Sequence, residues 1–215
     1  MSSSYEIAVD AFLNQFRQIR TTTLNRIWMA FMAYSMCIIA EAFRTRGYTV
    51  TPMNHKNGFR FKCFPRGNPN LYSYFLVKKD QDLYEIRLSV DAKNLRWNSL
   101  RLNLDVVVIN QNSINSDNLV DSDQDLVSFV ECKNLRGFPE LVATFEGMIY
   151  ELQRSRLYSN STNNFRIPAC LLLSQLGRSI LYMDRRFQQR NMSMRIFDLL
   201  QPGNPNTQTF IQTWF

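Results

Sequence analysis

The sequence contains a single histidine among 215 residues, and this scarcity excludes several kinds of hydrolytic chemistry. With only His55, in a polar stretch typical of a loop, the chain lacks the parts of a Ser-His-Asp triad, a His-based nuclease or a zinc hydrolase. We expect His55 to be a surface loop residue. The four cysteines are Cys37, Cys63, Cys132 and Cys170. They lie far apart in apolar runs and form no C-x-x-C pair. The sequence therefore predicts neither a zinc site nor a disulfide framework, and it favours a reducing cytoplasm.

Long apolar runs are missing as well. The longest uncharged apolar stretch covers residues 27–40 between Arg26 and Glu41, which is too short to span a bilayer and is typical of a buried helix. The N-terminus lacks the basic region of a signal peptide and carries acids at Glu6 and Asp10. We therefore expect no membrane partner.

The composition is that of an ordinary globular protein with a basic balance. Hydrophobic residues make up 45% of the chain and charged residues 20%, so the length suits one domain with a full-sized core. Lys and Arg number 25 against 18 Asp and Glu, a net charge of +7 that favours a polyanionic partner. We expect N-terminal helices over 1–47, a core over 48–200 and a tail over 201–215.

The most informative residues are an acid and a base two positions apart at the end of an apolar run. In a strand, Val127, Phe129, Glu131 and Lys133 would share one face, with the last two Cα atoms roughly 7 Å apart. Asp105 lies inside a second apolar run, residues 102–109, where an unpaired carboxylate is costly. A divalent cation would compensate that cost if the two strands are neighbours.

This constellation resembles the PD-(D/E)XK nuclease superfamily, whose pattern is an acid on one core strand and (D/E)-x-K on the next. The matching residues are Asp105, Glu131 and Lys133, while Leu104 stands where the family name has proline. The resemblance covers residues 40–200. It implies that both acids bind Mg²⁺ or Mn²⁺, that the backbone carbonyl of Cys132 completes the metal shell, and that Lys133 assists water attack.

The function that the resemblance implies is a metal-dependent nuclease hydrolysing phosphodiester bonds in DNA, or else in RNA, in repair, restriction or defence. The implied fold is α/β and restriction endonuclease-like, with a mixed β-sheet flanked by helices on both faces and an N-terminal helical segment. The alternative is a noncatalytic nucleic-acid-binding or assembly subunit with a nuclease-like fold. A coincidental motif in an unrelated globular protein is the third interpretation.

A second Asp-x-Lys, Asp91 and Lys93, also follows a strand-like run. Its partner acids would be Asp80 and Asp82, but these lie in a polar stretch typical of a hairpin turn. We therefore prefer the pair at Glu131 and Lys133. The structural alternative for that pair and Asp105 is an ion-paired sheet edge.

Two helices carry further candidates. Glu41 falls on the apolar stripe of the second helix with Ile27 and Ile38, and it resembles an additional acid of many PD-(D/E)XK enzymes; a surface Glu is the alternative. On a helix predicted from Pro139 to about residue 157, Val142, Phe145, Ile149 and Leu152 form the core stripe. There Glu146-x-x-x-Tyr150 is similar to a Gln-x-x-x-Tyr pair of one nuclease branch, with an ordinary solvated face as the alternative.

The remaining pattern predicts helices over 5–20, 23–46 and 177–190, strands over 59–64, 72–79, 83–90, 169–173 and 194–200, and a polar loop over 110–124 that is mobile or reaches substrate. The helix over 177–190 presents a basic face that suits phosphate contacts or is simply solvated, formed by Arg178, Tyr182, Arg185, Arg186 and Arg190. The apolar tail residues Phe210, Ile211, Trp214 and Phe215 either dock on the body or contact a partner chain, in a homo-oligomer or with another protein.

Overall fold

The computed structural model describes residues 2–54, 56–94, 100–158, 165–177 and 180–215, so His55 and Arg178 lie outside the described residues. The helices are α1 (Ser4–Asn14), α2 (Ile27–Thr45), α3 (Pro139–Gln153), α4 (Ile180–Gln189) and α5 (Pro205–Thr213). The strands are β1 (Thr49–Met53), β2 (Tyr74–Lys79), β3 (Asp82–Lys93), β4 (Leu102–Asn110), β5 (Leu119–Asp121), β6 (Leu126–Arg136), β7 (Ala169–Gln175) and β8 (Met194–Phe197).

The strands form one mixed sheet in the order β1-β2-β3-β4-β6-β7-β8, with β5 beside β3. Neighbours in this order pair antiparallel from β1 to β6, whereas β6 and β7, and β7 and β8, pair parallel. Parallel neighbours need a crossover, which α3 and α4 supply. The expected α/β architecture, a mixed sheet flanked by helices with an N-terminal helical segment, is thereby confirmed.

Each face of the sheet has its own apolar core. One core combines α1, α2 and α5 with strand residues such as Val106 and Val130. The other combines α3 and α4 with residues such as Leu104 and Phe129, and all four residues predicted for the α3 stripe are at most 1% exposed. Glu131 and Lys133 follow Phe129 by two and four positions, so they project on the α3 side of the sheet.

Two terminal elements cover the first core. Helix α1 begins at a capping box, in which the Ser3 side chain accepts from the Glu6 backbone and the Glu6 carboxylate from Ser3. The tail forms α5 and docks on the body, with Phe210, Ile211 and Trp214 buried. By length and composition α2 could cross a membrane, but 78% of its most apolar 18-residue segment is buried inside the protein.

Several expected elements differ from the structure. Residues 59–64 were predicted as a strand, but they are extended without joining the sheet, since Phe59 and Phe61 exchange hydrogen bonds with the loop after α1. The short edge strand β1, which contains Pro52, was not predicted. The polar loop over 110–124 contains β5, which folds back beside β3.

Candidate functional site

The candidate site lies where β4 and β6 stop pairing. Their ladder reaches Val106 opposite Val130, and the next residues along are Asp105 and Glu131. Beyond that point each carboxylate bonds the backbone of the other strand. The Cys132 N–H donates to Asp105 Oδ2 at 2.9 Å, and the Asp105 N–H donates to Glu131 Oε1 at 3.4 Å. We call this arrangement of Asp105, Glu131 and Cys132 the β4–β6 fork.

Lys133 contacts both acids of the fork. Its Nζ lies 2.8 Å from Glu131 Oε2 and 3.4 Å from Asp105 Oδ2. The Glu131 side chain is only 5% exposed, whereas that of Lys133 is 34% exposed and reaches toward solvent. The structure therefore brings together the three residues that the sequence singled out, in one partly open cluster.

The electrostatics of the cluster favour one more cation. Burial, and then the neighbouring Asp105 carboxylate, raise the pKa of Glu131 to about 7, although Lys133 opposes that shift. Burial lowers the pKa of Lys133, but the attraction of Glu131 and Asp105 more than offsets it, so the net shift is upward. If both carboxylates are ionised, the single ammonium leaves one negative charge uncompensated in a largely buried place.

The donor atoms at the fork suit a hard divalent cation. Mg²⁺ is usually held by one or two carboxylates with waters and substrate phosphates, and the fork offers two. Within a strand, the N–H and C=O of one residue point to the same side. Because the Cys132 N–H points to Asp105, its carbonyl lies on that side too. The described residues include no cluster of three or more His, Cys, Asp or Glu, so a metal here would rely on these oxygens.

The Cys132 thiol takes no part in this oxygen set. Its side chain contacts Ser35 of α2, on the other face of the sheet, and burial raises its pKa well above the ordinary value. The thiol therefore stays protonated and contributes packing, while its backbone serves the fork.

The neighbouring strand β3 has an irregularity opposite Asp105 that the sequence did not predict. Ser89 lies across from it, between the Leu88–Val106 and Val90–Leu104 pairs, and has a φ of +49°. Leu104 and Val106 consequently belong to opposite cores, with Val107 on the side of Leu104. The alternation of faces along β4 is therefore interrupted at Asp105, because both strands change face at this point. A similar register shift in β6 places Val127 in the core opposite to Phe129.

Lys62 holds that irregularity in place. Its buried ammonium donates to the carbonyls of Phe64, Pro65 and Ser89 at 2.7–2.8 Å. Burial lowers its pKa to about 8, against the opposing influence of Asp91. The sequence analysis did not identify Lys62 as a functional residue. Its position between the apolar Phe61 and Cys63 was the signal that this lysine could be buried.

Glu41 is not part of the cluster. Its carboxylate lies 2.9 Å from Arg44, whose guanidinium also contacts Gln15 beyond the end of α1. The side chain is 36% exposed, and among the described residues no contact joins it to the fork. The structure thus places Glu41 in a half-exposed ion pair with Arg44, as in the alternative interpretation, and not beside the two acids of the fork.

The second Asp-x-Lys has no carboxylate partner among the described residues. Asp91 is bound by Arg101 and Asn103, at 2.6 and 2.8 Å. Asp82, at the far end of β3, accepts from Tyr48 and Tyr84 instead. The structure thus separates these acids and leaves Asp91 neutralised by arginine.

The two helices on the α3 side contribute less directly. Glu146 is half-buried on α3, while Tyr150 is 48% exposed. Helix α4 begins next to Gly137, where Ile180 packs, and Tyr182 is exposed near this end. The exposed Arg185, Arg186 and Arg190 follow toward and just beyond the far end of this helix, and their role in phosphate contacts stays a prediction.

No protein-family model matches the sequence, and no curated protein or solved structure was found similar to it. Inferences about function consequently rest on the geometry of the fork and on the charges around it.

Proposed function

We propose that this protein is a metal-dependent nuclease that hydrolyses phosphodiester bonds, with DNA as the preferred substrate. The observation that carries the proposal is the convergence of Asp105, Glu131 and Lys133 at the β4–β6 fork. A surface ion pair would not require a carboxylate that is 5% exposed or strands that separate around it.

Each residue has a distinct role in the proposal. Asp105 and Glu131 would hold Mg²⁺ or Mn²⁺ together with the Cys132 carbonyl. When bound, the cation supplies Lewis-acid stabilisation of charge on the phosphate. Lys133 would then be relieved of neutralising both acids, and its N–H donors could orient the attacking water or stabilise the phosphate charge.

The order of elements supports the same proposal. Helix α2 precedes the antiparallel β3, β4 and β6, and α3 then leads to β7 parallel to β6. This is the helix and meander, followed by the (D/E)-x-K strand and its helix, expected of the PD-(D/E)XK superfamily. A restriction endonuclease-like fold is accordingly part of the proposal.

The test is an incubation of the protein with linear duplex, single-stranded and circular DNA and with RNA, each with Mg²⁺, Mn²⁺ or EDTA. The wild-type protein should cleave only with a divalent cation, and Lys133→Ala should lose cleavage while remaining folded. Lys93→Ala is the matched control, because it removes the lysine of the other Asp-x-Lys from the neighbouring part of the sheet. Cleavage that survives both EDTA and Lys133→Ala would rule the proposal out.

One observation favours a noncatalytic nucleic-acid-binding subunit as the second candidate. The fork carboxylates already have partners, since each accepts a backbone N–H and Lys133 contacts both. The same incubation distinguishes the two candidates: salt-sensitive binding without cleavage under any divalent cation would select the binding subunit.

A further inference from the structure

The positive charge of the chain is concentrated in one stretch. Residues 42–79 contain eight Lys or Arg and no Asp or Glu, while the rest of the chain carries 17 basic against 18 acidic residues. The net charge of +7 therefore arises from this stretch, which has four of its cations over residues 56–66 and the other four near its two ends.

The middle of this stretch lies at the same end of the sheet as the fork. It leaves the sheet after Met53 and re-enters at Tyr74, which pair with one another. Lys62 ties it to Ser89, the residue of β3 across from Asp105. Neighbouring strands are about 5 Å apart, so the Lys62 ammonium lies roughly one strand spacing from the backbone of Asp105.

A cavity of about 620 Å³ opens in this segment, within the usual range of small-ligand pockets. Among the described residues its lining includes the cations Lys56 and Arg60 and the amides Asn54, Asn57 and Asn70, and no carboxylate. The cavity is braced, because Asn54 donates to the Asn70 carbonyl and Arg60 stacks on Tyr72 at 4.9 Å. Cations and amides without an acid suit a phosphate and the polar edge of a base.

Aromatic surface lies in the same segment, next to the residue that ties it to β3. Phe64 is 54% exposed, and its carbonyl is held by Lys62, which also bonds Ser89. The ring meets that of Trp28 edge to face at 5.8 Å, and Trp28 is itself 37% exposed. Exposed rings beside cations are the features on which unpaired bases stack.

We propose that this surface, comprising the cavity at Lys56 and Arg60 together with Phe64 and Trp28, binds single-stranded nucleic acid and leads it to the fork. We call it the strand cradle. The cavity has room for one nucleotide, and the rings stack on the face of an unpaired base. In a duplex the nucleotides are paired and stacked, so neither a single nucleotide nor a free base face is available. The inference rests on the proposed function for the substrate class, and it identifies the substrate as an unpaired strand or strand end.

The test measures binding in EDTA by fluorescence anisotropy, using a short labelled single-stranded oligonucleotide and the matching duplex. The wild-type protein should bind the single strand more tightly. The double variant K56Q/R60Q should bind it at least tenfold more weakly, and its slope of log affinity against log salt should be shallower by roughly 1.4, since each phosphate contact on a single strand contributes about 0.7.

The control is K78Q/K79Q, which removes two charges from the same acid-free stretch at the opposite end of β2. The match is close, because Lys79 lies over the Tyr48 ring as Arg60 lies over that of Tyr72. This control should lose clearly less affinity. Equal losses in the two double variants, tighter binding of duplex, or no binding by the wild type would each overturn the strand cradle.

Phe64 gives a second readout that does not depend on charge. Phe64→Ala should weaken single-strand binding by between about fivefold and about a hundredfold, and Phe64→Leu should recover little because it lacks a ring face. Full affinity in Phe64→Leu would show that apolar bulk suffices and would overturn stacking. Binding in EDTA needs neither metal nor turnover, so a protein that binds as described but never cleaves contradicts the proposed function and leaves the cradle intact.

Discussion

Lys133 is the one cation that contacts Asp105 and Glu131 among the described residues, and the stability of the fork depends on it. Replacing it with methionine keeps the aliphatic length but leaves two carboxylates facing each other. We expect Lys133→Met to lower the free energy of unfolding without metal by about 2 kcal/mol, less than for a fully buried pair because Lys133 is 34% exposed. Urea denaturation measures this difference.

The same variant should regain more stability from Mn²⁺ than the wild type does, because the cation restores the missing charge and binds only the folded state. Lys93→Met serves as the control and should respond to Mn²⁺ as the wild type does. Equal stabilisation of all three proteins by Mn²⁺ would contradict a metal site at the fork.

Glu131 should make metal binding dependent on pH. Its pKa is raised from 4.5 to about 7, first by burial and then by Asp105, and a carboxylate must be deprotonated to bind metal. Mn²⁺ affinity should therefore weaken by up to about tenfold per pH unit below about 7 and level off above it, as measured by titration calorimetry. Without metal, the raised pKa of Glu131 makes the folded protein less stable at higher pH. Its contribution to the free energy of unfolding is present below pH 4.5 and is lost as the pH rises through about 7.

The control for this pH dependence is Glu41→Gln, which changes a surface acid paired with Arg44 and should leave the profile unchanged. In Glu131→Gln the residual Mn²⁺ binding should no longer follow a group titrating near 7. A wild-type affinity that is constant from weakly acidic to neutral pH would contradict the role of Glu131.

At the scale of elements, β3 depends on the contact between Lys62 and three backbone carbonyls. Lys62→Met removes three charge-assisted hydrogen bonds, while Asn118 continues to donate to Ser89 and Pro65. We expect a loss of about 3 kcal/mol in the free energy of unfolding, measured with urea. Lys78→Met, on the exposed end of β2, should change it by less than about 0.5 kcal/mol.

Most elements could be predicted from hydrophobic periodicity, because burial on one or both faces repeats along them. Helix α3 shows this well, with its stripe from Val142 to Leu152 fully buried as expected. Periodicity reports burial, however, and not the hydrogen-bonding partner. Phe59 and Phe61 are buried as a strand would bury them, but their backbone bonds go to the loop after α1. The edge strand β1 buries little and contains Pro52, so it produced no signal.

At the scale of the whole molecule, α5 completes the core on the α2 face. Trp214 is 1% exposed, stacks on Phe210 and donates to the Pro168 carbonyl at 2.9 Å. Trp214→Ala should cost about 3–5 kcal/mol, which for a chain of this length lowers the melting temperature by roughly 10 °C. Gln212→Ala, on the exposed side of the same segment, is the control and should melt with the wild type. A small shift for Trp214→Ala in calorimetry would contradict the docking of the tail.

The candidate site was more predictable than the surface around it. Asp105, Glu131 and Lys133 lie in strong apolar strands, so these strands and the shared face of Glu131 and Lys133 could be predicted, whereas the break in alternation at Asp105 could not. Glu41 could not be placed in the same way, because a helical stripe does not show where the helix ends its contact with the sheet. The strand cradle joins Trp28 and the segment around Arg60 through long-range packing, and its clearest sequence signal was the absence of acids over 42–79.

The fork also provides two native spectroscopic probes of its own occupancy. The amide protons of Asp105 and Cys132 donate to carboxylates rather than to a neighbouring strand, so their electronic environment changes when those oxygens engage a cation. In a two-dimensional nitrogen–proton correlation spectrum these resonances should move on titration with diamagnetic Mg²⁺, while the adjacent ladder amides at Val106 and Val130 stay nearly constant. Ligand occupancy at the centre of the sheet thus becomes visible without an attached probe group, substrate or turnover.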